Sequence, residues 1–225
     1  MKSYKTELQG LKWVSSKIKL NSHGLLWSLD KLLRSPRELF RVCATVLLLG
    51  LVLGGCKNSR FEREFGCETP MGFSNTKTYK DVLSHFEIDI PKNWKTSLYY
   101  DEYQSKLYTA DTTRNLSESY IIDVTWHQGE LLINDEFDKL VSEQVNREFN
   151  LIPVKSGEGD FLDLPAYYHI ATGKKNGLNW HYLQVYLKYN TDEYYTLTSK
   201  IYGNELVTER ICASFALFKD IEFID

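Results

Sequence analysis

The chain has 225 residues, with 27 Lys+Arg against 30 Asp+Glu and a formal net charge of −3. That charge is unevenly placed: residues 1–55 carry +6 and residues 56–225 carry −9. The acidic part has no basic stripe, which argues against a nucleic-acid partner, and its length suits one domain with its own core.

The first element in chain order is an apolar run. Residues 42–55 are 14 apolar or small residues, fewer than the roughly 20 that a membrane-spanning helix needs, but they fit the apolar core of a signal peptide. Arg34, Arg37 and Arg41 lie just upstream, and the run ends in Leu53-Gly54-Gly55-Cys56. This ending resembles the signal of bacterial lipoproteins. The resemblance implies cleavage between Gly55 and Cys56, acylation of Cys56 with chains such as palmitate, and attachment to a lipid bilayer through that residue. The competing reading is a short buried helix or a membrane anchor. Forty-one residues precede the apolar core, where a basic flank is normally a handful. Residues 1–55 are therefore read as a signal or leader segment whose translation starts nearer Leu33 or Leu39. Lys57 stands where an Asp would resemble the inner-membrane retention signal of enterobacterial lipoproteins, so the expectation favours the periplasmic face of the outer membrane.

Residues 56–77 are polar and patternless apart from Pro70 and two glycines, and are expected to tether the lipidated cysteine to a domain over 78–225. Two cysteines, Cys67 and Cys212, remain outside the leader besides Cys56. In an oxidising compartment they can form a disulfide, provided that their Cα atoms approach within about 7 Å; two unrelated thiols are the alternative.

Within the domain, His85 to Ile90 alternates apolar and polar residues, a strand signature, and Pro91 ends it. Trp94–Tyr100 and Lys106–Ala110 continue with β-prone residues. In Tyr120–Trp126, Ile122, Val124 and Trp126 share one face. The period then changes: Phe137, Leu140, Val141, Val145 and Phe149 recur at three and four, predicting an amphipathic helix over 134–149, with Asn134 or Asp135 as its cap and Pro153 closing it off. Gly157-Glu158-Gly159-Asp160 reads as a bend between Val154 and Phe161. Asn176-Gly177 between two β-like runs predicts a two-residue hairpin, in which Ala166 opposes Leu187, Tyr168 opposes Val185 and Ile170 opposes Leu183. Both faces of that hairpin are largely apolar or aromatic, so both want cover. A strand from Tyr194 to Ile201 follows, and a closing helix is expected over 204–218, with Val207, Ile211, Phe215 and Phe218 as its stripe. The expected fold class is α+β: a three-layer α/β/α sandwich around a central antiparallel sheet of six or seven strands.

Phe86-Glu87-Ile88-Asp89-Ile90-Pro91-Lys92-Asn93-Trp94 resembles the F-x-I-x-x-P-x-x-W opening of PsbP-like domains, which share a fold with the yeast Ran-binding Mog protein and with DcrB-like bacterial lipoproteins. The middle helix, Leu164-Pro165-Ala166-Tyr167, Tyr194-Tyr195-Thr196-Leu197-Thr198 and the Ala213-Ser214-Phe215 helix follow in the same order. The resemblance spans about 80–220. It implies a binding or accessory role and transfers no functional residue.

No catalytic motif stands out. His127 and Glu130, close in sequence, are the pocket candidates and the place where an unrecognised hydrolase site would lie. His169 and His181 fall on opposite faces of the predicted hairpin, which argues against a shared metal, since metal ligands must converge. A Gly-x-Ser-x-Gly elbow is missing, and the Gly157 segment lacks the Lys-Ser or Lys-Thr of a phosphate loop. Tyrosine pairs such as Tyr167-Tyr168 point to opposite sides of a strand and so cannot form one stacked platform. The expectation is a non-catalytic envelope protein without catalytic residue, metal or cofactor, whose partner is another envelope protein or a small ligand; the alternatives are an envelope hydrolase and an immunity or inhibitor protein.

Overall fold

A computed structural model describes residues 63–67, 72–115 and 117–224. The leader, the cleavage site at Gly55 and the expected lipidation at Cys56 lie outside the described residues.

Among the described residues, ten strands and two helices follow one another as β1 (Thr76–Lys80), β2 (Phe86–Pro91), β3 (Lys95–Tyr100), β4 (Gln104–Ala110), β5 (Tyr120–Gln128), α1 (Asp135–Phe149), β6 (Ile152–Phe161), β7 (Leu164–Lys175), β8 (Leu178–Lys188), β9 (Glu193–Tyr202), α2 (Val207–Lys219) and β10 (Ile221–Phe223). Seven strands form one antiparallel sheet in the order β3-β4-β5-β9-β8-β7-β6, so two meanders meet at the β5–β9 pair. The other three strands form a small sheet, β1-β2-β10. The run from Phe86 to Pro91, with the alternation expected of a strand, therefore belongs to this second sheet. Its Phe86, Ile88 and Ile90 are buried in the same core cluster as α2 and one face of the large sheet.

The layers follow from alternation along the strands. Ile122, Val124 and Trp126 of β5, Leu183, Val185 and Leu187 of β8, and Leu197 and Ile201 of β9 pack with Phe215, Leu217 and Phe218 of α2. The opposite face of β7 and β8 offers Tyr167, Ala171, Trp180 and Tyr182, which pack with Val141 and Val145 of α1. Both faces of the β7–β8 hairpin are thus covered, by different helices, which accounts for their shared apolar character.

Local chemistry fixes the pieces. Asn134 caps α1 by accepting the Phe137 N–H at 2.9 Å, and Asp135, Glu136 and Asp138 face the positive end of the helix dipole. Asn176 and Gly177 have φ of 52° and 81°, the left-handed pair that a type I′ turn requires. The resulting register pairs Ala166 with Leu187, Tyr168 with Val185 and Ile170 with Leu183. Helix α2 begins three residues later than expected, because Leu206 takes a left-handed conformation (φ 50°) and offers no side-chain cap. Arg210 holds this start instead: its guanidinium donates to the carbonyls of Ser119 and Tyr202, both at 2.8 Å, and of Glu205 at 2.5 Å. The expected stripe is also rotated. Phe215 and Phe218 are fully buried with Leu217, whereas Val207 and Ile211 are only half-buried.

Two expectations are corrected. Residues 157–160 are strand, not a bend: β6 runs unbroken through them, and Gly157 is there because a Cβ would come within 2.8 Å of the Tyr168 ring. The folded body also starts before residue 78. Strand β1 begins at Thr76, Phe73 packs edge-on against Trp94, and Phe65 stacks on Phe215 with ring centroids 5.4 Å apart. The supposed tether contains aromatic side chains that the α2-side core takes up. Cys67 and Cys212 are joined by a disulfide with Cα atoms 5.3 Å apart, which fastens residues 63–67 to α2.

Candidate functional site

Helix α1 covers β6, β7 and β8 but leaves the same face of β4, β5 and β9 open. Between the helix and this open face lies a groove of about 530 Å³. Its floor is polar, because the groove-facing positions of the central strands are occupied by Gln104 and Lys106 of β4, Asp123 and Thr125 of β5, Gln184 of β8, and Thr196, Thr198 and Lys200 of β9.

The charged centre is Asp123. Its Oδ1 lies 2.7 Å from Lys106 Nζ and its Oδ2 lies 2.7 Å from Lys200 Nζ. The Asp123 side chain is 5% exposed, and those of Lys106 and Lys200 are 34% and 20% exposed. The geometry follows from register. Asp123 pairs with Tyr108 on β4 and with Thr198 on β9, so the two lysines sit two residues along from its direct partners, within diagonal cross-strand reach. Lys200 also lies over the Tyr108 ring, 5.8 Å from its centroid.

At the other end of the groove His127 stacks on Tyr194, with centroids 4.6 Å apart and planes 11° from parallel. Burial, and then the positive charge of Lys106, push its pKa down to about 4, so the imidazole is neutral at pH 7. Phe137 of α1 closes that end by meeting Tyr186 edge-on at 5.0 Å. Burial raises the Tyr186 and Tyr182 hydroxyls above their ordinary range, which keeps them protonated.

Of the two pocket candidates, His127 lines the groove, whereas Glu130 is exposed and is not among its lining residues. His169 faces α1, where its Nε2 lies 3.2 Å from Ser142 Oγ; His181 lies opposite Thr172 and its Nε2 is 3.5 Å from Asn204 Oδ1. Among the described residues, no group of three or more His, Cys, Asp or Glu could hold a metal ion, and no helix is long and apolar enough to cross a membrane.

The Lys106–Asp123–Lys200 cluster was missed by reasoning from sequence. One signal was present: Asp123 is the acidic residue set within the apolar alternation of β5, opposite in phase to Ile122 and Val124. Its cations come from strands whose pairing no local turn announces.

The architecture is that of the PsbP-like α/β/α sandwich. A similar solved structure is the cyanobacterial PsbP, CyanoP, from Synechocystis sp. PCC 6803, with a TM-score of 0.50 at 9% identity, covering 69% of this chain and 96% of that one. LpqN of Mycobacterium tuberculosis, described as involved in cell envelope biogenesis, matches with a TM-score of 0.35 at 10% identity over 67% of this chain and 91% of its own, a likeness too slight to carry any inference. No protein-family model matches the chain, and no curated protein matches it either.

Proposed function

We propose that this chain is a lipoprotein of the bacterial cell envelope, anchored through acylated Cys56 after removal of residues 1–55, and that its sandwich domain acts by binding a ligand or partner in the groove. The observation that carries the binding reading is the open face of the large sheet. Three of its strands present charged and hydroxyl-bearing side chains to a cavity that α1 roofs on one side only. The Leu53-Gly54-Gly55-Cys56 ending supports the anchor, and a Cys67–Cys212 disulfide suits an oxidising compartment outside the cytosol. Acyl chains are needed for membrane attachment on this reading, because an acidic body offers no polybasic surface for anionic lipid. The outer membrane is the favoured location, from Lys57.

Two measurements test the reading. Mass spectrometry of the native protein should find Cys56 as the first residue, carrying acyl chains, and Cys56→Ala should leave the protein unlabelled by radioactive palmitate; a bare Cys56 with the leader attached would refute the anchor. A photo-crosslinking amino acid at Gln184, in the groove, should trap a bound species in native envelopes, while the same probe at exposed Leu132 should not. Equal or empty trapping at both positions would refute the groove as the binding face.

A further inference from the structure

We infer that the groove is built for an acidic sugar, a polyhydroxylated ring or short chain bearing a carboxylate or phosphate, whose anionic group seats between Lys106 and Lys200. The inference rests on the groove-binding reading above and specifies its ligand.

Charge comes first. Two ammonium groups share one carboxylate, each 2.7 Å from a different oxygen of Asp123, so the cluster has a net charge of +1. An ammonium has three N–H donors, and contact with Asp123 engages one direction of each. The other charged groups lining the groove, Glu143 and Arg147 of α1, offset one another. The groove therefore carries +1 inside a body, residues 56–225, that carries −9. A region of reversed sign in a walled cleft focuses the field on an incoming anion, and the 34% and 20% exposures of Lys106 and Lys200 leave both within reach of a ligand in the cavity.

The rest of the lining selects the body of that anion. Gln184 lies level with Asp123, across Thr198, and Thr125 and Thr196 come next toward His127; these are hydrogen-bonding groups able both to donate and to accept. Asp123 and His127 are four residues apart on β5, about 13 Å at the rise of an extended strand, so the floor is long enough for more than a bare inorganic ion. At its far end the His127–Tyr194 stack and the Tyr186–Phe137 pair supply flat faces. A hydroxyl-rich ring, or a short chain of such rings, with a flat face and an acidic group at the lysine seat complements all three parts. An apolar acid would leave the threonines and glutamines facing hydrocarbon, which is unfavourable for unpaired polar groups.

The test uses the folded domain with its disulfide intact and isothermal titration at low salt, with trigalacturonate as probe, maltotriose as its neutral counterpart and triglutamate as an anion of peptide type. Trigalacturonate should bind saturably, and maltotriose and triglutamate at least about tenfold more weakly. Lys106→Gln and Lys200→Gln should each weaken trigalacturonate about tenfold or more. Asp123→Asn should tighten it, because the cluster then carries +2; a cluster that only maintained the fold would not give opposite responses at neighbouring positions. Circular dichroism confirms that each variant is folded. Equal binding of maltotriose would overturn the anionic part of the inference, preferential binding of triglutamate would overturn the sugar, and unchanged affinity in the lysine variants would overturn the seat. If no probe binds while Gln184 still crosslinks in envelopes, the ligand class is wrong and the groove reading survives; if both fail, the reading falls as well.

Discussion

The neutral His127 makes stability depend on pH in a calculable way. In an unfolded chain its imidazole takes a proton below about pH 6.5, whereas in the folded domain burial, then Lys106, hold the pKa near 4, with Asp101 pulling weakly the other way. Between these values the unfolded state binds the extra proton, so stability must fall as the pH is lowered. The contribution is fully present above pH 6.5, declines from there, and is exhausted near pH 4. Each tenfold of proton affinity is worth about 1.4 kcal/mol, which sets the ceiling of the loss at about 3 kcal/mol. Urea denaturation of the wild type and of His127→Gln at pH 7.5, 6.5, 5.5 and 4.5 isolates the effect, because other titrating groups, including buried His169, are common to both proteins. The stability difference between the two should shift steadily in favour of His127→Gln as the pH falls, by about 1 kcal/mol or more per pH unit below 6. A difference that stays flat from pH 7.5 to 4.5 would show that this imidazole is solvated and charged in the fold, and the neutral stack on Tyr194 would have to be given up.

Other parts of the structure give equally direct expectations. The Cys67–Cys212 bond closes a separation of 145 residues, so Cys212→Ser, or reduction of the wild type, should cost about 5 kcal/mol on the chain-entropy estimate; a loss below about 1 kcal/mol in urea titrations would mean that residues 63–67 stay docked without it. Gly203 has φ of +78°, and a Cβ there would meet the Ser117 carbonyl, so Gly203→Ala should destabilise by about 1–3 kcal/mol, read as a drop in Tm; an unchanged Tm would refute the close approach. Asn134→Ala removes the hydrogen bond to Phe137 N–H and should cost about 1 kcal/mol, with Asn134→Asp restoring most of it in the same assay.

How much could be read from sequence depended on how local the deciding interaction was. Helix α1 announced itself through a 3.6-residue period and a capping Asn134 a few residues away. The β7–β8 register was legible because Asn176-Gly177 admits one turn geometry, and that turn fixes every pair beyond it. Nothing comparable marked the β5–β9 pairing, where Asp123 meets Thr198 across a helix and three strands. For that reason the meeting of Lys106, Asp123 and Lys200 could not be read from the sequence. Gly157 was misread because a glycine punctuates turns more often than it makes room for a ring, and the ring in question, Tyr168, belongs to the next strand. Phe65 and Phe73 were passed over because an isolated aromatic residue has no periodicity; only the partners, Phe215 and Trp94, give it a place.

The position of Asp123 is hard to account for by stability alone. Taking a carboxylate and two ammonium groups out of water costs several kcal/mol per ion even after relaxation, and apolar groups of similar volume often serve a fold as well or better. The neighbouring half of the same sheet face is mostly aromatic: Tyr167, Ala171, Trp180 and Tyr182 of β7 and β8 are sealed by α1, while the positions level with Asp123 there are Gln184 and His169, neither of which is a carboxylate or an ammonium. The chain therefore uses one side of a continuous face for packing and keeps an ion-paired but positively unbalanced cluster on the other, where α1 stops. The boundary coincides with the edge of the helix. Placing the cluster at the rim keeps Asp123 buried while leaving its two lysines accessible. That division, a buried carboxylate flanked by two reachable ammonium groups that outnumber it, is what supports the inferred seat for an anionic ligand.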